Sequence, residues 1–400
     1  MKNQARGAND RNLGQLCGAA TTKRLPMMYS IWEELSFRNA PDLVVVGAGI
    51  TGLFTALHAK LKDPHRRVLV LEKGPYPSGA SVKNAGFACF GSPSQLLFDL
   101  DHEGEEVMLG RVVERWEGLQ ELRATLGDQA IGFEPVGGYE VFRGGDPLHG
   151  KVSERLCDLN RRLKPIFNQD IFRWTDERIR FLGLDAGHLV WNALEGALDS
   201  GRLMHTLLQK AQGAGVEVCF GRAVERWEEL LDGVELKLAG GDVLKASQTV
   251  IATNGYTRTL VPDTDIVPGR GQVVLTSVIP GLQLEGTFHM DEGFYYFRHF
   301  QGRVLLGGGR HLDMAGEATM EEGSTPLIQQ ALETLLRETI LPGRGFRIER
   351  RWSGIMGFRS QGGPPVVKRL SPHVVLAAGL GGIGVAVGIR VARKAMELVV

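Results

Sequence analysis

The feature that most constrains this 400-residue chain is a glycine-rich turn that directly follows a short aliphatic run. Residues 43–46 are all Leu or Val, as in a buried parallel strand, and the next six residues fit the pattern G-x-G-x-x-G. Those six are Gly47, Ala48, Gly49, Ile50, Thr51 and Gly52. Helical spacing continues to residue 61, a second aliphatic run covers 67–71, and Glu72 follows it. This order predicts a β-α-β unit.

In such a unit the turn and the acidic residue each have a physical role. Gly47 permits the tight turn, Gly49 lets a diphosphate approach the backbone, and Gly52 lets the helix pack closely on the strand. The helix N-terminus offers free N–H groups and the positive end of its dipole to the diphosphate. Glu72 follows Gly52 by 20 residues, which is the spacing of an acid that binds ribose hydroxyls. We therefore predict a dinucleotide site, and the spacing alone does not choose between NAD and FAD.

Composition argues against several other classes of protein. Lys plus Arg and Asp plus Glu both number 46, which disfavours a nucleic-acid-coating protein. The 53 glycines, nearly twice the usual share of about 7%, follow no repeat and indicate tight turns and backbone approach to a ligand. The four cysteines lack CxxC spacing and the histidines are dispersed, so we expect free thiols, no bound metal and a cytoplasmic location.

No segment of the sequence has the character of a membrane span. The longest uncharged stretch, 374–389, is glycine-rich and shorter than the roughly 20 apolar residues that a span needs. Residues 1–26 are polar and basic without apolar periodicity, so we expect a disordered tail, with a transit-type leader as the alternative.

Several further motifs follow one another along the chain. They are VVVGAGITG (44–52), LEKG (71–74), GASVKNAGF (79–87), EGALDSGRLMHTLLQKAQGAGVEV (195–218), VIATNG (250–255), PGRGQ (268–272), WSGIMGFR (352–359) and AAGLGGIGV (377–385). In these motifs and their order the chain resembles the flavoprotein family of D-amino acid oxidase, glycine oxidase and sarcosine oxidase. The resemblance covers nearly everything from about residue 42 to residue 400.

The resemblance implies an α/β fold in which two domains are interleaved. One is a Rossmann-like FAD-binding domain of the glutathione-reductase type, which we assign to 42–98, 195–266 and 346–400. The other is a β-rich substrate-binding domain of α+β character, which we assign to 99–194 and 267–345. Residues 1–41 would form an N-terminal tail and a lead-in helix.

The resemblance also implies which residues contact FAD. The loop 79–87 would run along the flavin, the backbone near Val224 would meet the adenine, and the last glycine-rich turn would direct helix N–H groups at the pyrimidine end of the ring. The full set is Gly47, Gly49, Ile50, Thr51, Gly52, Glu72, Lys73, Ala80, Ser81, Lys83, Asn84, Ala85, Gly86, Val224, Ala252, Thr253, Asn254, Gly357, Gly381, Gly382, Ile383 and Gly384. Relatives with a covalent flavin use a late Cys or a His within the 79–87 segment. This chain has no Cys after Cys219 and has Lys83 in that segment, so we expect non-covalent FAD.

Three residues are expected at the substrate. The segment 293–311 aligns with the sarcosine oxidase segment that contributes a Tyr and a His, which correspond here to Tyr296 and His311. Arg359 stands where glycine oxidase has the Arg that pairs with the substrate carboxylate, and a planar guanidinium suits that partner.

Other positions depart from the sarcosine oxidase pattern. Gly307 replaces the Lys that assists reaction with oxygen, and Ala386 replaces a carboxylate-binding Lys. Both departures weaken a sarcosine oxidase assignment. Arg298, Arg310 and Lys83 are further cations near these motifs, and we expect each to lie on a solvated face.

The prediction is an FAD-dependent oxidoreductase that dehydrogenates a small-molecule amino acid or related amine. A hydride would pass from the α-carbon to flavin N5, the imine would hydrolyse, and oxygen or another acceptor would reoxidise the flavin. The protein mostly supplies orientation in such chemistry. One alternative is an oxidase of a secondary amine on a larger molecule, such as a modified tRNA uridine. It would need a basic approach surface, which the net charge of zero does not indicate. The other alternative is a flavin-binding protein without turnover.

Overall fold

The structure, a computed structural model, describes residues 30–36 and 40–399 and contains two units that divide after residue 39. In the first unit, helix α1 (Ile31–Ser36) lies where a lead-in helix is expected. Its first turn is closed reciprocally, because Ser30 N–H donates to Glu33 Oε2 at 2.8 Å and Glu33 N–H donates to Ser30 Oγ at 3.2 Å. The predicted tail over 1–26 lies outside the described residues.

The second unit alternates helices and strands along most of its length. In chain order its α-helices are α2 (Ile50–Lys62), α3 (Pro93–Glu103), α4 (Glu105–Leu126), α5 (Asp128–Ile131), α6 (Pro147–Phe167), α7 (Ile179–Leu182), α8 (Ser200–Gly213), α9 (Pro326–Leu335) and α10 (Gly384–Leu398). Its strands are β1 (Leu43–Val46), β2 (Val68–Glu72), β3 (Phe87–Ala88), β4 (Gly138–Phe142), β5 (Phe172–Trp174), β6 (His188–Asn192), β7 (Gly196–Ala197), β8 (Glu217–Phe220), β9 (Val224–Leu230), β10 (Gly233–Leu238), β11 (Val243–Ala246), β12 (Gln248–Ile251), β13 (Ile266–Thr276), β14 (Thr287–Met290), β15 (Tyr295–Phe300), β16 (Arg303–Gly308), β17 (Ile348–Arg359), β18 (Val366–Ser371) and β19 (Val374–Ala378).

A six-stranded sheet has the order β18-β19-β12-β1-β2-β8 and is parallel except for β18. Its centre is β1, in which Leu43 pairs with Gln248 on one side and with Val68 on the other. The connection β1-α2-β2 confirms the predicted β-α-β unit. All four residues of β1 are buried, as expected for a strand covered on both faces.

Two glycines let helices pack closely beside this sheet. A Cβ on Gly388 of α10 would lie 2.3 Å from Ile50 Cγ2 and 3.7 Å from Thr51 Oγ1, so α10 can approach the start of α2 only through glycine. A Cβ on Gly118 of α4 would lie 2.0 Å from the Ala386 carbonyl oxygen. The glycine-rich composition is therefore used partly for helix packing.

An eight-stranded sheet has the order β17-β13-β16-β15-β14-β4-β6-β5, and it is antiparallel except for the β14–β4 pair. One face carries Phe288, Phe297 and Leu306, which pack on Ile328 and Leu332 of α9. Because side chains alternate along a strand, the neighbouring positions face the opposite way. There Tyr296 packs with a cluster that includes Ala85, Val273 and Phe87.

The fold class predicted for the chain is confirmed by these two sheets, whereas the domain boundaries stay a prediction. The strands of the six-stranded sheet all fall in 42–98, 195–266 and 346–400. Strand β17 also falls in 346–400, yet it pairs with β13 in the eight-stranded sheet. The third segment therefore contributes strands to both sheets, β18 and β19 to the six-stranded sheet and β17 to the eight-stranded sheet.

Candidate active site

The turn after β1 uses glycine for two different reasons. Gly47 adopts φ +107, and its N–H donates to Leu71 O at 2.8 Å. A Cβ on Gly52 would lie 1.8 Å from the Gly47 carbonyl oxygen, so the start of α2 tolerates only glycine there. A Cβ on Gly49 would meet only Ser81 Oγ, at 3.1 Å. Gly52 is thus required by the fold itself, whereas Gly49 leaves backbone accessible to a ligand.

The same turn lies against a buried carboxylate. Glu72 is 7% exposed, and its Oε2 accepts from Ala48 N–H at 2.9 Å while Oε1 accepts from Gly74 N–H at 2.9 Å. Ile50 N–H, the first of α2, donates to Ser81 Oγ at 3.0 Å, and the N-cap residue Gly49 has no side chain to cap the helix. A carboxylate has about four acceptor positions, so Glu72 can still accept hydrogen bonds from ribose hydroxyls.

The loop 79–87 is held to the start of α8. Asn84 Oδ1 accepts from Gly86 N–H at 2.8 Å and from Ser200 Oγ at 2.7 Å, and its Nδ2 donates to Ala80 O at 3.2 Å. Gly86 has φ +71 and would clash with a carbonyl of the neighbouring segment if it carried a Cβ. Asn84 and Gly86 together determine the path of this loop.

The loop is also tied to the eight-stranded sheet. Trp352 Nε1 donates to Lys83 O at 2.9 Å, and Ala85 is buried in the cluster that covers the Tyr296 face. The Lys83 ammonium pairs with Glu322, so it is engaged in an ion pair, not simply solvated as expected.

The carboxyl end of β12 lies next to that of β1. Ala252 N–H donates to Val46 O at 2.9 Å, and Thr253 precedes a 3₁₀ turn that starts at Asn254. Asn254 Oδ1 accepts from Gly379 N–H at 3.1 Å, which links the end of β12 to the turn after β19.

The turn before α10 is open on one side. A Cβ on Gly357 would lie 2.7 Å from Asn254 Oδ1, so glycine allows β17 to approach this turn. The 3₁₀ segment Gly381–Ile383 leads into α10 at Gly384 with no side-chain cap, and a Cβ on Gly382 would meet nothing within 4 Å. The turn therefore resembles the one at β1, with backbone exposed at a helix start.

Two further predicted contacts flank the ends of β1 and β2. Val224 packs against the hydrophobic cluster that contains Val46 and Leu71. Lys73 places its ammonium 3.2 Å from the centroid of the Tyr256 ring, and burial lowers the pKa of Lys73 although the Glu72 charge opposes this. The structure thus brings the predicted FAD residues together around the carboxyl ends of β1, β2, β12 and β19, and their individual contacts with FAD stay predictions.

Tyr296 lies on the face of the eight-stranded sheet that is turned toward the loop 79–87. Its ring contacts Phe87 edge to face at 5.9 Å, and burial raises the pKa of its hydroxyl to about 12. A Cβ on Gly307 would lie 2.5 Å from this ring. A lysine at position 307 would therefore displace Tyr296, which accounts physically for the glycine there.

His311 lies elsewhere, beside the turn between β14 and β15. Its ring contacts Phe294 at 4.8 Å and Tyr295 at 5.1 Å, and it lines a cavity of about 490 Å³ together with Arg143 and Asp291. Burial lowers the pKa of His311 against the opposing charge of Asp291. In residues 40–399 no hydrogen bond or ring contact joins His311 to Tyr296, and the expected place of each at the substrate stays a prediction.

Arg359 ends β17 and is engaged by a carboxylate of the protein. Its Nε donates to Asp265 Oδ2 at 2.8 Å, and about a third of each side chain is exposed, 34% and 37%. Phe358, one residue earlier, lies over Gly269 on the Tyr296 side, so alternation directs Arg359 to the other face. A substrate role for Arg359 stays a prediction.

Arg310 supplies a cation on the Tyr296 side. Its guanidinium carbon lies 4.1 Å from the centroid of the Phe358 ring, and Nη1 lies 3.5 Å from the Cβ position of Gly269. The side chain is half-buried, and burial lowers the pKa of Arg310 although Glu317 opposes this. Within the described part of the chain Arg310 forms no ion pair.

The sequence profile described as FAD dependent oxidoreductase (DAO) matches residues 42–398. The chain belongs to this family. The open turns at β1 and α10 and the buried Glu72 fit FAD, since they present backbone N–H groups and a ribose acceptor at one edge of the sheet. This DAO-family protein is therefore an FAD-dependent oxidoreductase.

The chain is also similar to individual proteins and solved structures. The bifunctional protein ThiO/ThiG of Synechocystis sp. is 25% identical over 338 residues, or 79% of this chain and 45% of that protein. The chain thus spans under half the length of that relative. L-proline dehydrogenase from P. horikoshii superposes with a TM-score of 0.71 at 19% identity, covering 90% of this chain and 93% of the other. Glycine oxidase from Bacillus cereus gives 0.70 at 17% identity, with 90% and 94% covered. These two share the fold.

The DAO-family chain also has a buried arginine that the sequence analysis placed wrongly on a solvated face. Arg298 is 6% exposed, its Nη2 donates to Leu198 O at 2.9 Å, and the same atom lies 3.1 Å from the Cβ position of Gly86. Its Nε is buried and has no hydrogen-bond partner among the residues that the structure describes. The sequence contained a signal for this placement. Arg298 follows Tyr296 by two residues on one strand, so the two side chains lie on the same face of the sheet.

In residues 30–36 and 40–399, none of the helices has both the length and the apolar character that crossing a membrane requires. The same residues contain no group of three or more His, Cys, Asp or Glu side chains arranged to hold a metal ion.

Proposed function

We propose that this protein dehydrogenates an amino acid or a closely related amine that carries a carboxylate. Bound FAD would supply, at flavin N5, the acceptor for the hydride that leaves the substrate α-carbon, and the imine product would hydrolyse in water. Oxygen or another acceptor then takes the electrons. The protein residues bind the carboxylate and orient the α-carbon.

The observation that carries the proposal is a cluster of four side chains above two glycines of β13. Met356 Cε lies 2.7 Å and the Tyr296 hydroxyl 3.8 Å from the Cβ position of Gly271. Phe358 and Arg310 occupy the corresponding space above Gly269. The cluster combines apolar surface, one hydroxyl and one cation, which is the composition of a site for a small carboxylate.

Arg310 is the better carboxylate partner in this arrangement. It is half-buried and free of any ion pair within the described residues, whereas Arg359 is held by Asp265. A half-buried guanidinium gains most from an anion, and a carboxylate can accept two parallel hydrogen bonds from it. Arg359 remains the alternative suggested by the glycine oxidase pattern.

Anaerobic mixing of the purified yellow protein with a substrate panel tests the proposal. Amino acids, N-methyl amino acids and amines without a carboxylate are compared by the bleaching of flavin absorbance. We expect bleaching by at least one carboxylate-bearing amine and little by its decarboxylated counterpart. Bleaching by none of the panel, with or without added tRNA, would leave a flavin-binding protein without turnover, and bleaching only with tRNA would favour a macromolecular amine.

A further inference from the structure

Four glycines lie close together on the face of the eight-stranded sheet that carries Tyr296. They are Gly269 and Gly271 of β13, Gly307 of β16 and Gly354 of β17. Gly271 and Gly354 are cross-strand partners, and Gly307 pairs with the residue two positions after Gly271. None of the four has a positive φ, so the backbone conformation does not require glycine at these positions. Glycine inside a strand then marks a place where another group approaches the sheet closely.

Two of these glycines are covered by apolar side chains of the neighbouring strand β17. The Phe358 ring lies 2.6 Å from the Cβ position of Gly269. Met356 is the cross-strand partner of Gly269, but its Cε lies 2.7 Å from the Cβ position of Gly271, so the side chain leans along β13. Both side chains are only half-buried. The missing Cβ atoms therefore let Met356 and Phe358 lie flat on the sheet and form an apolar floor that is partly open.

A cation lies at one end of this floor. Arg310 Nη1 is 3.5 Å from the Cβ position of Gly269, and the Arg310 guanidinium carbon is 4.1 Å from the centroid of the Phe358 ring. Met356 Cε belongs to the position of Gly271, which is two residues further along β13 and so roughly 7 Å away. The guanidinium and the thioether methyl group are thus separated by about the length of an amino acid with an extended side chain.

The other side of the floor offers little for a charged side chain to bind. The space above Gly354 is occupied by Lys83, whose Cβ lies 3.0 Å and Cδ 3.7 Å from the Cβ position of that glycine. The Lys83 ammonium already pairs with Glu322, so the two charges are engaged with each other. A ligand that extends over Met356 therefore meets mainly apolar atoms, which favours a hydrocarbon or thioether chain.

We propose that the substrate is an amino acid with an extended apolar side chain and that Met356 determines which side-chain length is accepted. The inference rests on the proposed function, because it uses the pairing of the substrate carboxylate with Arg310. With the carboxylate held there, the substrate side chain lies over Phe358 and Met356 and removes their exposed surface from water. Glycine as substrate leaves that surface exposed. Met356 is unbranched and flexible, so small changes beneath it alter the space above it.

The first test compares glycine, alanine, norvaline and norleucine, with both enantiomers of each chiral amino acid, in anaerobic flavin reduction by the FAD-loaded protein. The quantity measured is the reduction rate constant divided by the substrate Kd. We expect it to rise along the series and to differ by at least about 10-fold between alanine and norleucine of the preferred enantiomer. A profile that is flat, or that is highest for glycine, would overturn the inference while leaving amine oxidation intact.

Two variants shift the profile through Met356. A Cβ in Gly271→Ala meets the end of the flexible Met356 side chain, so this methyl group moves into the site and the norleucine-to-alanine ratio falls about 10-fold. Met356→Ala removes the methyl group, so phenylalanine gains relative to norleucine, and adding Gly271→Ala then leaves the norleucine-to-alanine ratio unchanged. The control is Gly110→Ala on α4, where a Cβ meets nothing within 4 Å. An equal effect of Gly271→Ala with and without Met356 would overturn the role of Met356.

A second readout needs no turnover. Straight-chain carboxylates from acetate to hexanoate lack the amine and are titrated into the FAD-loaded protein, with the flavin absorbance as the signal. We expect Kd to fall about 4-fold for each methylene that the floor buries, and Gly271→Ala to weaken this trend. Equal Kd values for acetate and hexanoate would overturn the inference. Failure of every amine to bleach the flavin would instead overturn the proposed function, and a chain-length trend among the carboxylates would still support the apolar floor.

Discussion

The edge of the six-stranded sheet and the Tyr296 face of the eight-stranded sheet are built on different principles. At the first, the functional groups are backbone N–H groups and the positions are occupied mainly by glycine, as at Gly49 and Gly382. At the second, they are side chains delivered from separate strands, as with Tyr296, His289 and Arg310. The first region recognises a ligand through turns formed locally, and the second through neighbours that only the sheet creates.

The difference also concerns charge. Glu72 at the first region has both oxygens bonded to backbone N–H groups, so its buried polar atoms are satisfied by hydrogen bonds. The second region contains Glu140, Glu195 and His289 almost fully buried, together with Arg298 and its unpartnered Nε. Buried charge costs stability unless it is paired and hydrogen-bonded, and buried groups with shifted pKa values, such as Glu140 and His289, are concentrated at functional sites, so chemistry is expected in the second region.

Two glycine variants at the edge of the six-stranded sheet are expected to have the largest effects. Both abolish FAD binding, but for different physical reasons. Gly52→Ala forces a Cβ against the Gly47 carbonyl, so we expect a lowered Tm of the FAD-free protein and no FAD binding. Gly49→Ala leaves the fold nearly unstrained, so the Tm of the FAD-free protein stays near that of the wild type while FAD binding is lost. Thermal melts and flavin fluorescence measure both quantities. Equal loss of Tm in the two variants would contradict this division.

A pair of arginine variants tests the second region. Arg310→Ala removes a charge-assisted hydrogen-bond donor worth roughly 1.5–3 kcal/mol, so kcat/KM for a carboxylate substrate should fall about 10- to several-hundred-fold. Arg310→Lys should recover only part of it. Arg359→Ala should change kcat/KM little, because Asp265 holds that side chain. FAD content measured by absorbance is the control, and the reverse ranking would restore Arg359 as the carboxylate partner.

The buried Glu140 makes stability depend on pH. Its folded pKa of about 6 lies above the ordinary 4.5, so the folded state favours the neutral carboxyl. Its contribution to the free energy of unfolding is full below pH 4.5 and falls by about 2 kcal/mol as pH rises through 6. Urea unfolding of the wild type and Glu140→Gln at pH 4.5 and 7 measures the difference. A constant difference between the two proteins would show that Glu140 ionises normally.

The smallest expected effect concerns the electron acceptor. Gly307 itself carries no cation, so superoxide formed next to it lacks the charge that a lysine at this position would supply, and the Arg310 guanidinium lies over Gly269 instead. We expect an artificial dye at equal concentration to reoxidise the reduced flavin faster than oxygen does, as measured by stopped-flow absorbance. If oxygen reoxidised the flavin as fast as the dye, another cation would lie near the reacting centre. Lys83 is the first candidate, and Lys83→Met would test it.

Much of the fold followed from local patterns. Strand β19 coincides with the apolar run at 374–378, helix α10 follows the glycine-rich turn after it, and Asp199 caps α8, with its Oδ1 accepting from Arg202 N–H at 2.9 Å. These features depend on hydrophobic periodicity and on a capping side chain, which involve residues close together in sequence. The parallel order of β1 and β2 likewise follows from one β-α-β unit.

The sequence by itself determined the features that depend on residues close together in the chain. These are the glycine turns, the helix caps, the buried strands and the acidic residue Glu72 at the end of β2. The tertiary structure alone decided which polar side chains meet. The motif placed Tyr296 and His311 at the substrate but named no neighbours for them; the sheet register sets His289 beside Tyr296, and Glu195 lies within hydrogen-bond distance of His289. Register settles this because one residue of shift reverses the face of every side chain on a strand, and partners 94 residues apart leave no local pattern.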